Sequence, residues 1–435
     1  MMKRLLVITT AALLLAAGEG RTAPQDRFAS SDRFLLSFLG HVIGDEKVVV
    51  EPRGQGRRIS SAFVFEDRGT KVELNAALEL DGDGLPIRFT SKGKTYRLFS
   101  TDVDVVRIGD RVRVRDGGEN TVIDLGGRPF FPVDTYAPIA LQEQLIHYWL
   151  SHGRPKEIVA PPAGTVRITS RGLAVSDAAN GGAPAPTLER LAIDGVLWGT
   201  ETAWVERDSR KLVGLTTWAG NLPFEAVAPG RESRIVAMIT QATTDRIADL
   251  AAASKALAPV RKGTYALIGA KVVTGDDQPA IEQGVVLIKD GRIAAVGSRA
   301  DVSLPKNTEL VWMTGKTVIP GLWDMHAHTS QTDWAFPYLA GGVTTVRDMG
   351  GENEFLVPFR NAVRDGKVLA PRLLLAGLVD APGAGAFGHV WAATPDEGRK
   401  AVAQLKYDGF EEVKIYQGLT AEVVRAMADE AHRLG

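Results

Sequence analysis

The 435 residues include no cysteine, which excludes disulfide staples, thiolate metal ligands and a lipid-bearing cysteine. Any metal site must therefore be built from His, Asp, Glu or a modified Lys. Net charge is also missing: 51 basic against 52 acidic residues leave −1, so there is no electrostatic bias towards nucleic acid. Long apolar runs are absent. The stretch from Leu5 to Ala17 falls short of the ~18 residues needed to cross a bilayer, and nothing later is long enough, so no transmembrane segment is expected.

What is present at the start, "MMKRLLVITTAALLLAAGEGRTAPQ", places Lys3 and Arg4 before that apolar stretch and small residues after it. This is the pattern of a secretory signal cut near Gly18 or Ala23, spanning about residues 1–23, and it predicts a secreted or periplasmic protein. The remaining length exceeds one ordinary core and calls for two or three domains.

Residues 26–257 alternate short period-two runs ("KVELNAALEL", "RVRVR") with turn signals such as "DRG", "DGDG" and "DGG". Residues 136–153 and 231–257 have helical spacing instead. The expectation is a β-rich α+β domain, with Trp198, Trp204 and Trp218 as core anchors and His147 and His152 as packed or surface residues. Its strand-and-turn rhythm is similar to the curved half-barrels of exported lipid and lipoprotein carriers. From Tyr265 a small β-sandwich follows to Pro320, and from Gly321 strand and helix signals alternate in four units, which implies a parallel sheet. Thr394 and Thr420 are suited to cap the third and fourth helices.

The chemistry concentrates in "GLWDMHAHTS". On a strand, His326 and His328 project from one face, Ala327 faces away and Asp324 shares the histidine side by parity. Two imidazoles suit a zinc-like cation. In "VKIY", Lys414 and Tyr416 take the face opposite Val413 and Ile415, so the lysine points inward when the apolar pair faces the helices. An HxH pair alone also arises by chance; the surrounding text gives it weight.

The segment from Tyr265 to Gly435, with "GKTVIPGLWDMHAHT", "AGGVTTVRDMGG" and "GFEEVKIYQGL" in order, resembles the metal-dependent amidohydrolase superfamily, in particular its imidazolonepropionase-like and prolidase-like branch. The resemblance implies a urease-like sandwich, incomplete here, and the first half of a (β/α)8 TIM-type barrel. It implies two divalent ions, zinc in the complete protein, with His326 and His328 on the more buried ion and a carbon dioxide-derived carbamate on Lys414 bridging both. It implies hydrolysis of C–N bonds in amides, dipeptides or cyclic amides by a metal-activated water, and Lys414 argues against the family's deaminases. Two histidines and a catalytic aspartate of the pattern fall beyond residue 435, so the sequence reads as a truncated piece lacking half of the site, inactive as it stands. His389 is a candidate substrate-binding residue, His432 an exposed one, and Arg347 and Asp348 are structural candidates. A competing expectation is a non-enzymatic exported carrier of a hydrophobic ligand with a relic barrel.

Overall fold

The computed structural model describes residues 30–435 except 95–99, 127–128, 135–137, 175–186, 220–221, 258–260 and 384; the expected signal segment lies outside the described residues. Fourteen antiparallel strands between Arg33–Phe38 and Leu222–Val227 make one sheet. Its two sequence halves join where those first and last strands pair. The alternation seen in the sequence is realised: along Thr70–Leu80, Val72, Leu74 and Ala76 are buried while Lys71, Glu73 and Asn75 are exposed.

Helix Ile139–Ser151 is enclosed rather than laid on a surface, since every residue from Ile139 to Trp149 is buried. It is held by both halves of the sheet. Pro138 provides no side-chain cap, and Glu46 replaces one by accepting the Ile139 N–H at 2.7 Å and the Ala140 N–H at 3.0 Å. Glu143 of the helix accepts the N–H groups of Ser31 and Leu212, and Gln142 donates to Glu201. Phe34, Phe65, Phe89, Phe131, Leu145 and Ile146 belong to one buried core cluster. Trp204 and Trp218 are core residues, as expected. Trp198 is not: it is 67% exposed, in the bend after strand Leu188–Asp194, where Gly195 and Gly199 turn the chain outward.

Residues 264–318 form a single mixed five-stranded sheet instead of two facing sheets. Each face carries a small buried cluster, while Ile293 and Trp312 are exposed. Ala266, Ile268, Val285 and Leu287 pack on Val302, while Ala270, Val272, Val286 and Ile288 pack on Met313 and Val318. Asp290 and Gly291, both at positive φ, make the tight turn between strands Ile281–Lys289 and Arg292–Gly297.

The last part alternates strands and helices, and its five strands pair in parallel. Leu322–Ala327, Val343–Asp348 and Arg372–Asp380 lie side by side, and both Val390–Trp391 and Glu412–Ile415 pair with the third. Thr394 and Thr420 cap the helices Pro395–Tyr407 and Ala421–Leu434 as the sequence predicts, Thr394 in a reciprocal capping box with Glu397. Helix Ile235–Ala256 ties the chain together. Its Ile235, Met238 and Ile239 pack on the large sheet, whereas Leu250 joins the core of the parallel unit and Ser254 accepts the Leu369 N–H.

Candidate metal centre

Strand Leu322–Ala327 departs from strict alternation. Asp324 pairs with Val346 but Ala327 with Asp348, three steps against two, so the strand carries a bulge at Met325 and His326. This separates Asp324 from the histidines that parity would have grouped with it. Its carboxylate accepts the His326 backbone N–H and the Tyr338 hydroxyl, both at 3.1 Å.

His328 stands just past the strand end, and its Nδ1 lies 2.8 Å from the Gly350 carbonyl. A carbonyl only accepts, so Nδ1 carries the proton and Nε2 presents a lone pair. The loop that supplies this carbonyl is fixed by Asp348, which is wholly buried and accepts the N–H groups of Thr329 and Gly350. Burial pushes the Asp348 carboxyl up to about 6, against those hydrogen bonds. The structural reading of Asp348 thus matches its contacts.

Lys414 arrives from strand Glu412–Ile415, opposite Leu378 in the neighbouring strand. Val413 packs into the core beneath the helices, which turns Lys414 to the other face. Its Nζ is 3.4 Å from His326 Nε2, and the His326 and His328 ring centroids are 5.4 Å apart. Burial and, to a lesser degree, the Arg347 charge lower the lysine's pKa, while Asp348 opposes them. The shift favours the neutral amine, the form that can combine with carbon dioxide.

The three side chains open into one basin, whose walls include Phe387, Tyr416 and Gln417 of the parallel unit and Arg68 and Leu222 of the large sheet. Among the described residues, no three His, Asp or Glu side chains gather closely enough to hold a cation by themselves.

His389 is elsewhere. Its Nδ1 meets the Leu39 carbonyl at 3.1 Å and its Nε2 the Glu354 carboxylate at 3.2 Å. Burial disfavours its imidazolium, yet Glu354 and the Leu39 carbonyl raise its pKa overall. The expected substrate-facing position is corrected to a clamp between the large sheet and the parallel unit, because the loop containing it folds back on Leu39 and Gly40. Arg347 pairs with Glu412 across the sheet, His147 is packed against the Arg210 carbonyl, and His432 is exposed. Arg68 and Leu222 were not legible as site residues: "DRG" marks only a turn, and nothing local shows what the turn faces.

No protein-family model matches the chain. Over 90 residues it is 33% identical to the enamidase of Eubacterium barkeri, a match that takes in 18% of this chain and 23% of the enamidase. Over that segment the chain is similar to a member of the metal-dependent amidohydrolase superfamily. Among solved structures, the chain is 30% identical to a candidate prolidase from Bifidobacterium longum, over 40% of this chain and 48% of that one, with a TM-score of 0.34. The bottromycin amidohydrolase is 23% identical over 44% of this chain and 40% of that one, with a TM-score of 0.33. The chain thus spans about a quarter of the enamidase and about half of the prolidase-like protein.

Proposed function

We propose that the basin is the metal centre of an exported hydrolase that cleaves C–N bonds in small amides or dipeptides, and that the parallel unit is the first half of a (β/α)8 barrel. The observation that carries this reading is the convergence of His326, His328 and Lys414 from strands of one parallel sheet on a single basin.

The donor set fits a divalent cation. Lys414 Nζ lies 3.4 Å from His326 Nε2, so the side chain that would carry a carbamate stands beside an imidazole of the ligating type. Zinc held there supplies an acidified water and a Lewis acid for the amide carbonyl. His328 is kept in the ligating tautomer by Gly350, and Asp348 holds that carbonyl in place. Lys414, as a carbamate, exchanges a cation that repels metal for an anionic ligand able to bridge two ions. The carrier reading has no comparable convergence of side chains behind it.

Dialysis of the full-length hydrolase against a chelator is expected to abolish amide hydrolysis, and zinc to restore it. Hydrolysis that persists after elemental analysis finds no metal would overturn the proposal.

A further inference from the structure

His328 leads into a loop that both parts of the fold hold. Residues Thr329 to Thr332 lie between it and the short helix Ala335–Ala340, and each is at most 5% exposed. From the parallel unit, Asp348 accepts the Thr329 N–H at 2.5 Å. From the large sheet, Trp218 of strand Leu212–Ala219 donates its indole N–H to the Ser330 carbonyl at 3.2 Å. Gly199 adds a second hold on that side. Its φ is +108, and a Cβ there would stand 1.6 Å from Gln331 Oε1, so the Gln331 side chain occupies space that only glycine leaves.

Trp218 is itself fixed. The guanidinium carbon of Arg246, on helix Ile235–Ala256, lies 4.6 Å from its ring centroid, and the same group donates to Thr216 Oγ1 at 2.9 Å on the tryptophan's own strand. Arg246 is buried among carboxyl groups of both parts, Glu352 and Asp333 from the parallel unit, Glu201 from the large sheet and Asp245 from its own helix. An indole engaged on its face by a buried cation and bonded at its edge to a carbonyl is constrained twice. Ser330 is two residues from His328, within about 7 Å along the chain, and a ligand set works only when held to about 0.5 Å. Gly350 orients the His328 ring; Trp218 holds the backbone next to it.

We propose that Trp218 is a positioning residue lent to the metal centre by the large sheet: its indole N–H, seated by Arg246, fixes the Ser330 carbonyl and with it the loop that places His328. The large sheet thereby serves the site as a brace, acting on a ligand it does not touch through Trp218. This inference rests on the metal-centre reading of the basin, and its test includes a measurement on the metal-free chain, so the two are decided separately.

The test pairs two buried tryptophans of the same sheet. Trp204, on the neighbouring strand, donates its indole N–H to Gln241 Oε1 at 3.1 Å, on helix Ile235–Ala256 rather than on the loop. Trp218→Phe and Trp204→Phe each keep a buried ring and remove one N–H. In the full chain stripped with a chelator, hydrogen exchange read by mass spectrometry is expected to quicken about three- to tenfold over Thr329 to Thr332 in Trp218→Phe, the range set by one hydrogen bond, and to stay unchanged there in Trp204→Phe. Titration with zinc is expected to show an affinity loss of about the same size in Trp218→Phe alone. Trp218→Tyr, which also lacks the indole N–H, is the second variant, and unchanged circular dichroism qualifies either one. Exchange that matches the parent in a folded Trp218 variant, faster exchange with unaltered zinc affinity, or equal losses in Trp204→Phe would each overturn the proposal. Failure of both Trp218 variants to fold would assign the residue to the core alone and overturn it too. A parent chain that takes up no zinc, with the exchange difference intact, would sink the metal reading and leave the brace standing.

Discussion

His328 owes its readiness for a cation to a neighbour that is not a ligand. The Gly350 carbonyl fixes the proton on Nδ1, and the buried Asp348 fixes the loop that carries Gly350. Lys414 depends on its surroundings too, since Val413 is drawn into the core and the lysine is thereby directed at His326. His326→Ala and Lys414→Ala are each expected to weaken zinc retention about tenfold or more, measured by competition with a chelating dye. His432→Ala, on the exposed face of the last helix, is expected to leave it unchanged. Equal retention in all three variants would separate zinc from this basin.

At the level of elements, the parallel unit was largely legible in the sequence. The apolar periodicity of its helices and the capping residues Thr394 and Thr420 are local signals, and local signals survive folding. Thr394 accepts the Glu397 N–H while the Glu397 carboxylate accepts the Thr394 N–H. Thr394→Ala is therefore expected to destabilise the chain by about 1 kcal/mol, read as a lower urea midpoint with the slope unchanged. An unchanged midpoint would mean that this helix is held by packing alone. The bulge at Met325 and His326 was not legible, because it is a mismatch of register between two strands, and one strand's residues do not record their partner's spacing.

Across the whole molecule, the carboxyl groups that the large sheet encloses include Glu46, Glu143 and Glu201, each pushed by burial from 4.5 up to about 7. Between those values the folded chain holds protons that the unfolded chain releases. Their contribution is therefore greatest below about 4.5, is lost as pH rises through about 7, and is flat above that. The urea midpoint is expected to fall from pH 5 to pH 8. Glu201→Gln, which keeps an acceptor for Gln142 and Thr217, is expected to lessen that fall. A midpoint that rises over this range would show that these groups are ionised in the folded state.

By itself, the sequence determined the β-rich first part, the alternating strands and helices of the last part, and the pairing of His326 and His328 with Lys414. Those follow from periodicity, capping and a motif order that are written along the chain. Tertiary structure decided the rest. It buried helix Ile139–Ser151 inside the sheet, sent His389 to Leu39 and Glu354, exposed Trp198 and brought the Arg68 hairpin to the basin. Each of these depends on which surfaces meet across long separations in the chain, and hydrophobic pattern specifies that a face is buried without specifying what buries it.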